Sequence, residues 1–118
     1  MARYEILHNP RCSKSRAALE RLADAGVQPT IVEYLVTPPT RARLERILAL
    51  LGTDDPRTIM RTGESIYREL GLATEKDRGR LLEAIVDHPI LLERPIVVRD
   101  DVRAVVGRPP ERVDELLR

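Results

Sequence analysis

The feature that most constrains this chain is a strand–helix–strand pattern near its start. Arg3-Tyr4-Glu5-Ile6-Leu7 is a short β candidate that runs into the turn-forming pair Asn9-Pro10. From Ser13 the apolar residues change to helical spacing. Ala18, Leu19, Leu22 and Ala25 share a face, and Gly26 stands where a helix stops. Thr30-Ile31-Val32-Glu33-Tyr34-Leu35 then reads as a second strand. Two strands joined through a helix lie parallel, with a right-handed crossover. A parallel pair needs cover and further strands, so the rest of the chain must supply them.

The middle of the chain is helical. Pro38-Pro39-Thr40 stops the second strand and offers Thr40 as an N-cap, and Leu44, Ile47, Leu48 and Leu51 form a stripe that ends at Gly52. Asp55-Pro56 starts a short helix through Ile59 and Met60; a further one is expected around Ile66 to Leu70. Leu81, Leu82, Ile85 and Val86 mark another helix, closed by His88-Pro89. The last third returns to β. Pro95-Ile96-Val97-Val98 is a strand, Asp100-Asp101 a turn, and Val102 to Val106 its hairpin partner. After Gly107-Arg108-Pro109-Pro110 a terminal helix carries Val113, Leu116 and Leu117. The order β-α-β, helices, β-β-α is that of an α/β thioredoxin-like domain with a mixed sheet. It predicts one domain over residues 1–118, with an all-helical insertion at about 40–90.

Composition narrows the function. Twenty basic residues against nineteen acidic leave a net charge of +1, without the surplus of a nucleic-acid binder. No apolar run approaches a membrane span, and the opening residues lack a signal-peptide core. The lone cysteine, Cys12, has no partner for an internal disulfide, which fits a reducing, cytoplasmic setting. One cysteine with two distant histidines, His8 and His88, gives no recognisable metal-ligand spacing, and no bound cofactor is expected. All but two of the basic residues, Lys14 and Lys76, are arginine. An arginine is therefore informative here only where its position gives a second reason.

Cys12 supplies the chemistry. It follows a strand and a turn and is expected at the first position of a helix, where unpaired amides and the helix dipole favour a thiolate and an incoming oxyanion. Arg11 beside it and Arg16 one turn on would add positive charge, and this setting argues for an accessible sulfur. A thioredoxin-type pair needs a second cysteine where Ser15 stands, so whatever Cys12 forms must be resolved by an external thiol. A phosphatase-type loop needs an arginine where Ala18 stands.

His8-Asn9-Pro10-x-Cys12 followed by Ser15-Arg16 resembles the opening motif of the glutaredoxin-dependent arsenate reductases. Pro38-Pro39-Thr40-Arg41, Leu70-Gly71-Leu72, His88-Pro89-Ile90-Leu91, Arg94-Pro95-Ile96-Val97-Val98 and Gly107-Arg108-Pro109-Pro110-Glu111 follow in family order over nearly the whole chain. The resemblance implies Cys12 as nucleophile, His8 as the residue that helps keep it ionised, and Ser15 as a hydroxyl that hydrogen-bonds the thiolate. It implies Arg61, Arg94 and Arg108 as oxyanion ligands beside Arg16, and Pro95 as a cis-proline facing the cysteine. It further implies that arsenate is reduced to arsenite, with glutathione as co-substrate and glutaredoxin as protein partner. A glutathione-dependent thiol reductase or transferase of the same family, acting on another substrate, is the alternative.

Overall fold

The two β-rich ends of the chain meet in one four-stranded sheet of order β2-β1-β3-β4, in a computed structural model that describes residues 2–118. The strands are β1 (Tyr4–His8), β2 (Thr30–Glu33), β3 (Ile96–Arg99) and β4 (Arg103–Val106). β1 runs parallel to β2, with Ile6 opposite Ile31, and antiparallel to β3, with Ile6 opposite Val97. β3 and β4 form the expected hairpin. The fold is thus α/β with a mixed sheet, as the element order predicts. Clustering divides the chain into two units, one running to Thr37 and resuming at Arg94–Arg118, the other Pro38–Glu93.

In the first unit, α1 (Ser13–Asp24) lays Ala18 and Leu22 on Ile6, Val97 and Val105 of the sheet, and Val113 and Leu116 join the same cluster. The alternation of strand side chains sends Leu7, Ile96 and Val98 to the opposite face, where they are also buried. α1 stops as the sequence indicates. Gly26 adopts φ +79°, Val27 N–H donates to Leu22 O and Gly26 N–H to Ala23 O, each at 2.9 Å, which satisfies carbonyls the helix leaves open. At the hairpin Asp100 and Asp101 both have positive φ, 54° and 55°, which suits the right-handed twist of the flanking strands.

Several boundaries and one element type differ from the sequence-based expectation. β2 ends at Glu33 rather than Leu35, because the amides of Val36 and Thr37 both turn back to Glu33 O at 2.9 Å. β3 begins after Pro95, which has no N–H to give a ladder. The terminal element is a 3-10 segment, Pro110–Leu116, and not an α-helix. Its bonds are of the tighter kind, such as Leu117 N–H to Asp114 O at 3.1 Å. Side chains hold its last carbonyls: Arg99 Nη1 donates to Leu116 O at 2.5 Å, Tyr4 Oη to the same oxygen at 3.2 Å, and Arg103 Nη2 to Glu115 O.

The second unit contains α2 (Arg41–Leu51), α3 (Ser65–Glu69) and α4 (Arg78–Asp87), with 3-10 turns at Pro56–Ile59, Leu72–Thr74 and Pro89–Leu91. Thr40 caps α2, its Oγ1 accepting from Arg43 N at 3.1 Å. The stretch expected to be helical through Met60 turns only as far as Ile59; Met60 is extended and bridges Leu92 antiparallel. The turns at Leu72–Thr74 and Pro89–Leu91 are three residues each, too short to leave a periodic signal in sequence. α2 packs on α4, and Leu44, Ile47, Leu48, Leu81, Leu82 and Ile85 are buried. Arg57 ties the turns together through Tyr67 Oη at 3.0 Å, Leu72 O at 2.6 Å and Glu75 O at 2.7 Å. Among the described residues no helix is long and apolar enough to cross a membrane.

Candidate active site

The loop from β1 into α1 is organised by Asn9. Its Oδ1 accepts from Arg11 N–H and its carbonyl from Cys12 N–H, both at 3.0 Å, so the chain reverses within three residues around Pro10. An asparagine before a proline is the turn signal for this geometry, although the organising role of Asn9 itself was not foreseen. Arg16 Nη1 donates to Pro10 O at 2.9 Å and fastens the loop to the first turn of α1.

Cys12 is the N-cap of α1, one place before the expected first helical position, with φ −94° and ψ 122°. Its carbonyl accepts the first helical bond, from Arg16 N at 3.0 Å. The sulfur is not open to solvent as the sequence suggested. Cys12 is 9% exposed, because distant segments of the same unit come down on the loop. Arg108, from the loop after β4, places Nη1 3.9 Å from Cys12 Sγ, and the same nitrogen donates to Arg94 O at 3.2 Å. A long contact at that distance is electrostatic in character more than a directed hydrogen bond. Arg94 keeps its Nε and Nη1 out of solvent. The Arg94–Pro95 bond is cis, as the resemblance implied for Pro95, and Arg108–Pro109 is cis as well, which the sequence did not indicate.

His8 and Ser15 meet each other. Ser15 Oγ lies 2.6 Å from His8 Nδ1 and accepts Asn9 N–H at 3.1 Å, with both side chains buried. A buried hydroxyl needs an acceptor for its proton, and Nδ1 supplies one; the hydrogen of the neutral ring then sits on Nε2. Burial holds the His8 pKa below its ordinary value. Glu33 pulls it back up, and the Arg16 guanidinium pushes it down. Burial thus favours the uncharged form of the ring. In this geometry the Ser15 hydroxyl serves His8 and the loop amide, where the resemblance implied a bond to the thiolate.

Arg61 belongs to the second unit. Its amide donates to Leu91 O at 2.7 Å, and its guanidinium pairs with Glu64 at 2.5 Å. The first unit thus brings together Cys12, Arg108 and the Arg94 turn on one side of the loop, and His8, Ser15, Asn9 and Arg16 beneath it. Such a constellation suits a sulfur nucleophile meeting an anion: a shielded thiol, a guanidinium that can fork onto a tetrahedral oxyanion, and helix-start amides. Among the described residues no group of three His, Cys, Asp or Glu side chains is placed to hold a metal ion.

Comparison with known proteins identifies the family. A family model described as the ArsC family matches residues 7–116. The chain is 48% identical to an arsenate reductase of Neisseria meningitidis, over 99% of this chain and the whole of that one. It is 42% identical to an arsenate reductase of Escherichia coli K12, over 99% of this chain and 82% of that one. Among solved structures, an arsenate reductase from Vibrio cholerae superposes with a TM-score of 0.90 at 42% identity, covering 95% of each chain. A strand-loop-helix cysteine met by an arginine from behind a cis-proline turn, on this sheet and with these relatives, makes the chain a member of the ArsC family.

Proposed function

We propose that this protein is an arsenate reductase that uses Cys12 as nucleophile and takes its electrons from glutathione and glutaredoxin. The observation that carries the reading is the Arg108 guanidinium shared between Cys12 Sγ and Arg94 O, in a chain whose relatives bear the name arsenate reductase. In the first step the Cys12 thiolate attacks arsenic in arsenate. A sulfur–arsenic bond forms, and an oxygen leaves as hydroxide or water. Arg108 and Arg94 hold the remaining oxygens, and their charge offsets what the pentavalent adduct accumulates. In the second step glutathione attacks the Cys12 sulfur. The sulfur–arsenic bond breaks with its electron pair on arsenic, arsenite departs as As(III), and Cys12 is left in a mixed disulfide with glutathione. Two thiols have then supplied the two electrons. In the third step a glutaredoxin thiolate takes over the glutathione and frees Cys12, the external route that a chain with one cysteine requires.

The test is NADPH consumption in a mixture of arsenate, glutathione, glutathione reductase, glutaredoxin and the protein. Turnover is expected and should vanish in Cys12→Ser. Absence of turnover above that control overturns the arsenate reading. If glutaredoxin nevertheless clears a glutathionylated Cys12, the thiol chemistry stands with another substrate.

A further inference from the structure

Gly107 stands between the two turns that carry Arg94 and Arg108. Its φ lies outside the left-handed region, so the backbone at this position is one that any residue adopts. The position is restricted by space instead. A Cβ on Gly107 would sit 2.9 Å from Pro95 Cγ, 3.4 Å from Val113 Cγ1 and 3.6 Å from Ala18 Cβ. The second and third are contacts that packing tolerates; the first is closer than side-chain carbons come. Pro95 can give way only by re-puckering its ring, which moves Cγ by a few tenths of an ångström, because the ring is closed on the backbone and its carbonyl accepts Gly107 N–H at 2.8 Å. What the pucker does not absorb, an added methyl group takes up by moving one backbone away from the other. Arg94 immediately precedes Pro95, and Arg108 immediately follows Gly107, its own amide tied to Val106 O at 2.9 Å. Separating the backbones pulls Arg108 Nη1 away from Arg94 O, now at 3.2 Å, and from Cys12 Sγ, now at 3.9 Å.

We propose that Gly107 is a positioning residue: the missing side chain lets the Pro95 ring seat against it and so sets the distance from the Arg108 guanidinium to the Cys12 sulfur. The inference rests on the anion-holding role given to Arg108 above. Gly107 touches no substrate itself and acts through Arg108.

The experiment measures how fast iodoacetamide alkylates Cys12 at fixed pH, and how much sulfate halves that rate, in the wild type, Gly107→Ala, Pro95→Ala and the double variant. Circular dichroism melting checks that each is folded. Pro95→Ala removes the atom that a methyl on residue 107 would strike; because it also alters the turn that carries Arg94, its own half-protecting sulfate concentration is the reference for the double variant. In the wild-type background Gly107→Ala is expected to raise the half-protecting sulfate concentration by about ten- to a hundredfold, the scale of effect of a misplacement near 1 Å. In the Pro95→Ala background the same change is expected to have less than about a twofold effect, since independent sites would give equal effects in both. Equal losses in both backgrounds, or wild-type protection in Gly107→Ala, overturn the proposal. If Gly107→Ala alone does not fold, a folded double variant with the protection of Pro95→Ala supports it. A double variant that also fails to fold overturns it, because the glycine then serves the core around Val113 and Ala18. Sulfate protection needs no turnover, so a protein that shows this pattern and leaves arsenate untouched faults the substrate and not the role of Gly107.

Discussion

At the scale of single residues, the site sets a buried sulfur beside a guanidinium that water reaches. Cys12 is 9% exposed while Arg108 is exposed, so their attraction is partly screened by solvent and should weaken as salt is added. The neutral side of the site is as specific. Ser15 has no exposure and serves two partners, His8 Nδ1 and Asn9 N–H. Ser15→Ala leaves a buried ring nitrogen and a loop amide without their bonds. That should cost about 1–3 kcal/mol of unfolding free energy in urea titration. The same change should slow Cys12 alkylation or make it heterogeneous, since the loop loses a fastening. An alanine variant with wild-type stability would show that the hydroxyl carries no structural weight.

At the scale of elements, α1 performs two tasks, one at its first turn and one along its buried face. Its first turn begins at Cys12, and its buried face anchors that turn to the sheet through Ala18 and Leu22. Leu22 is fully buried among Ile6, Val97, Val105, Val113 and Leu116. Leu22→Ala therefore removes its transfer energy and leaves a cavity, and should lower stability by about 2–5 kcal/mol in chemical denaturation. A loss below about 1 kcal/mol would mean that the cluster collapses to fill the space. α1 is also stapled to the terminal 3-10 segment by Arg21, which donates Nε to Asp114 Oδ1 at 3.1 Å and Nη2 to Oδ2 at 2.5 Å. This pair is partly exposed, so it serves orientation more than stability.

Across the whole molecule, protonation links the site to stability. The folded-state pKa of His8 is lowered, mainly by burial, so the unfolded chain takes up a proton first. Stability should be level above about pH 6.5 and decline as the pH falls below it, until the folded ring also titrates. The carboxyls of Asp114 and Glu45 are both held below their usual range, chiefly by hydrogen bonds from Arg21 and Arg78. Their contribution is complete above about pH 5 and is lost as the pH falls through the lowered folded values. Urea midpoints measured from pH 8 to pH 3 should therefore fall in two stages. His8→Asn, whose Oδ1 can still accept from Ser15, should remove the upper stage and keep the lower. An unchanged upper stage would assign it to another group.

Much of this fold is written locally. The spacing of Ala18 and Leu22, Gly26 as a stop, Thr40 as a cap and Asp100-Asp101 as a turn are all decided within a few residues by backbone sterics and hydrogen-bonding reach. With the parallel rule for strand–helix–strand units they yield the element order and the mixed sheet. The cysteine at a helix start was legible in the same way. What lies around that cysteine was not legible from local pattern; the family resemblance alone pointed to Arg108 and Pro95, and it did not give the partners of Ser15. Arg108 reaches Cys12 from 96 residues away, the Ser15 hydroxyl turns to His8 rather than to the sulfur, and the last element tightens to 3-10 while Arg99 and Arg103 take its carbonyls. Periodicity and turn chemistry fix how a segment folds. Burial, and the choice among possible hydrogen-bond partners, depend on which segments arrive beside it, and only the tertiary structure decides that.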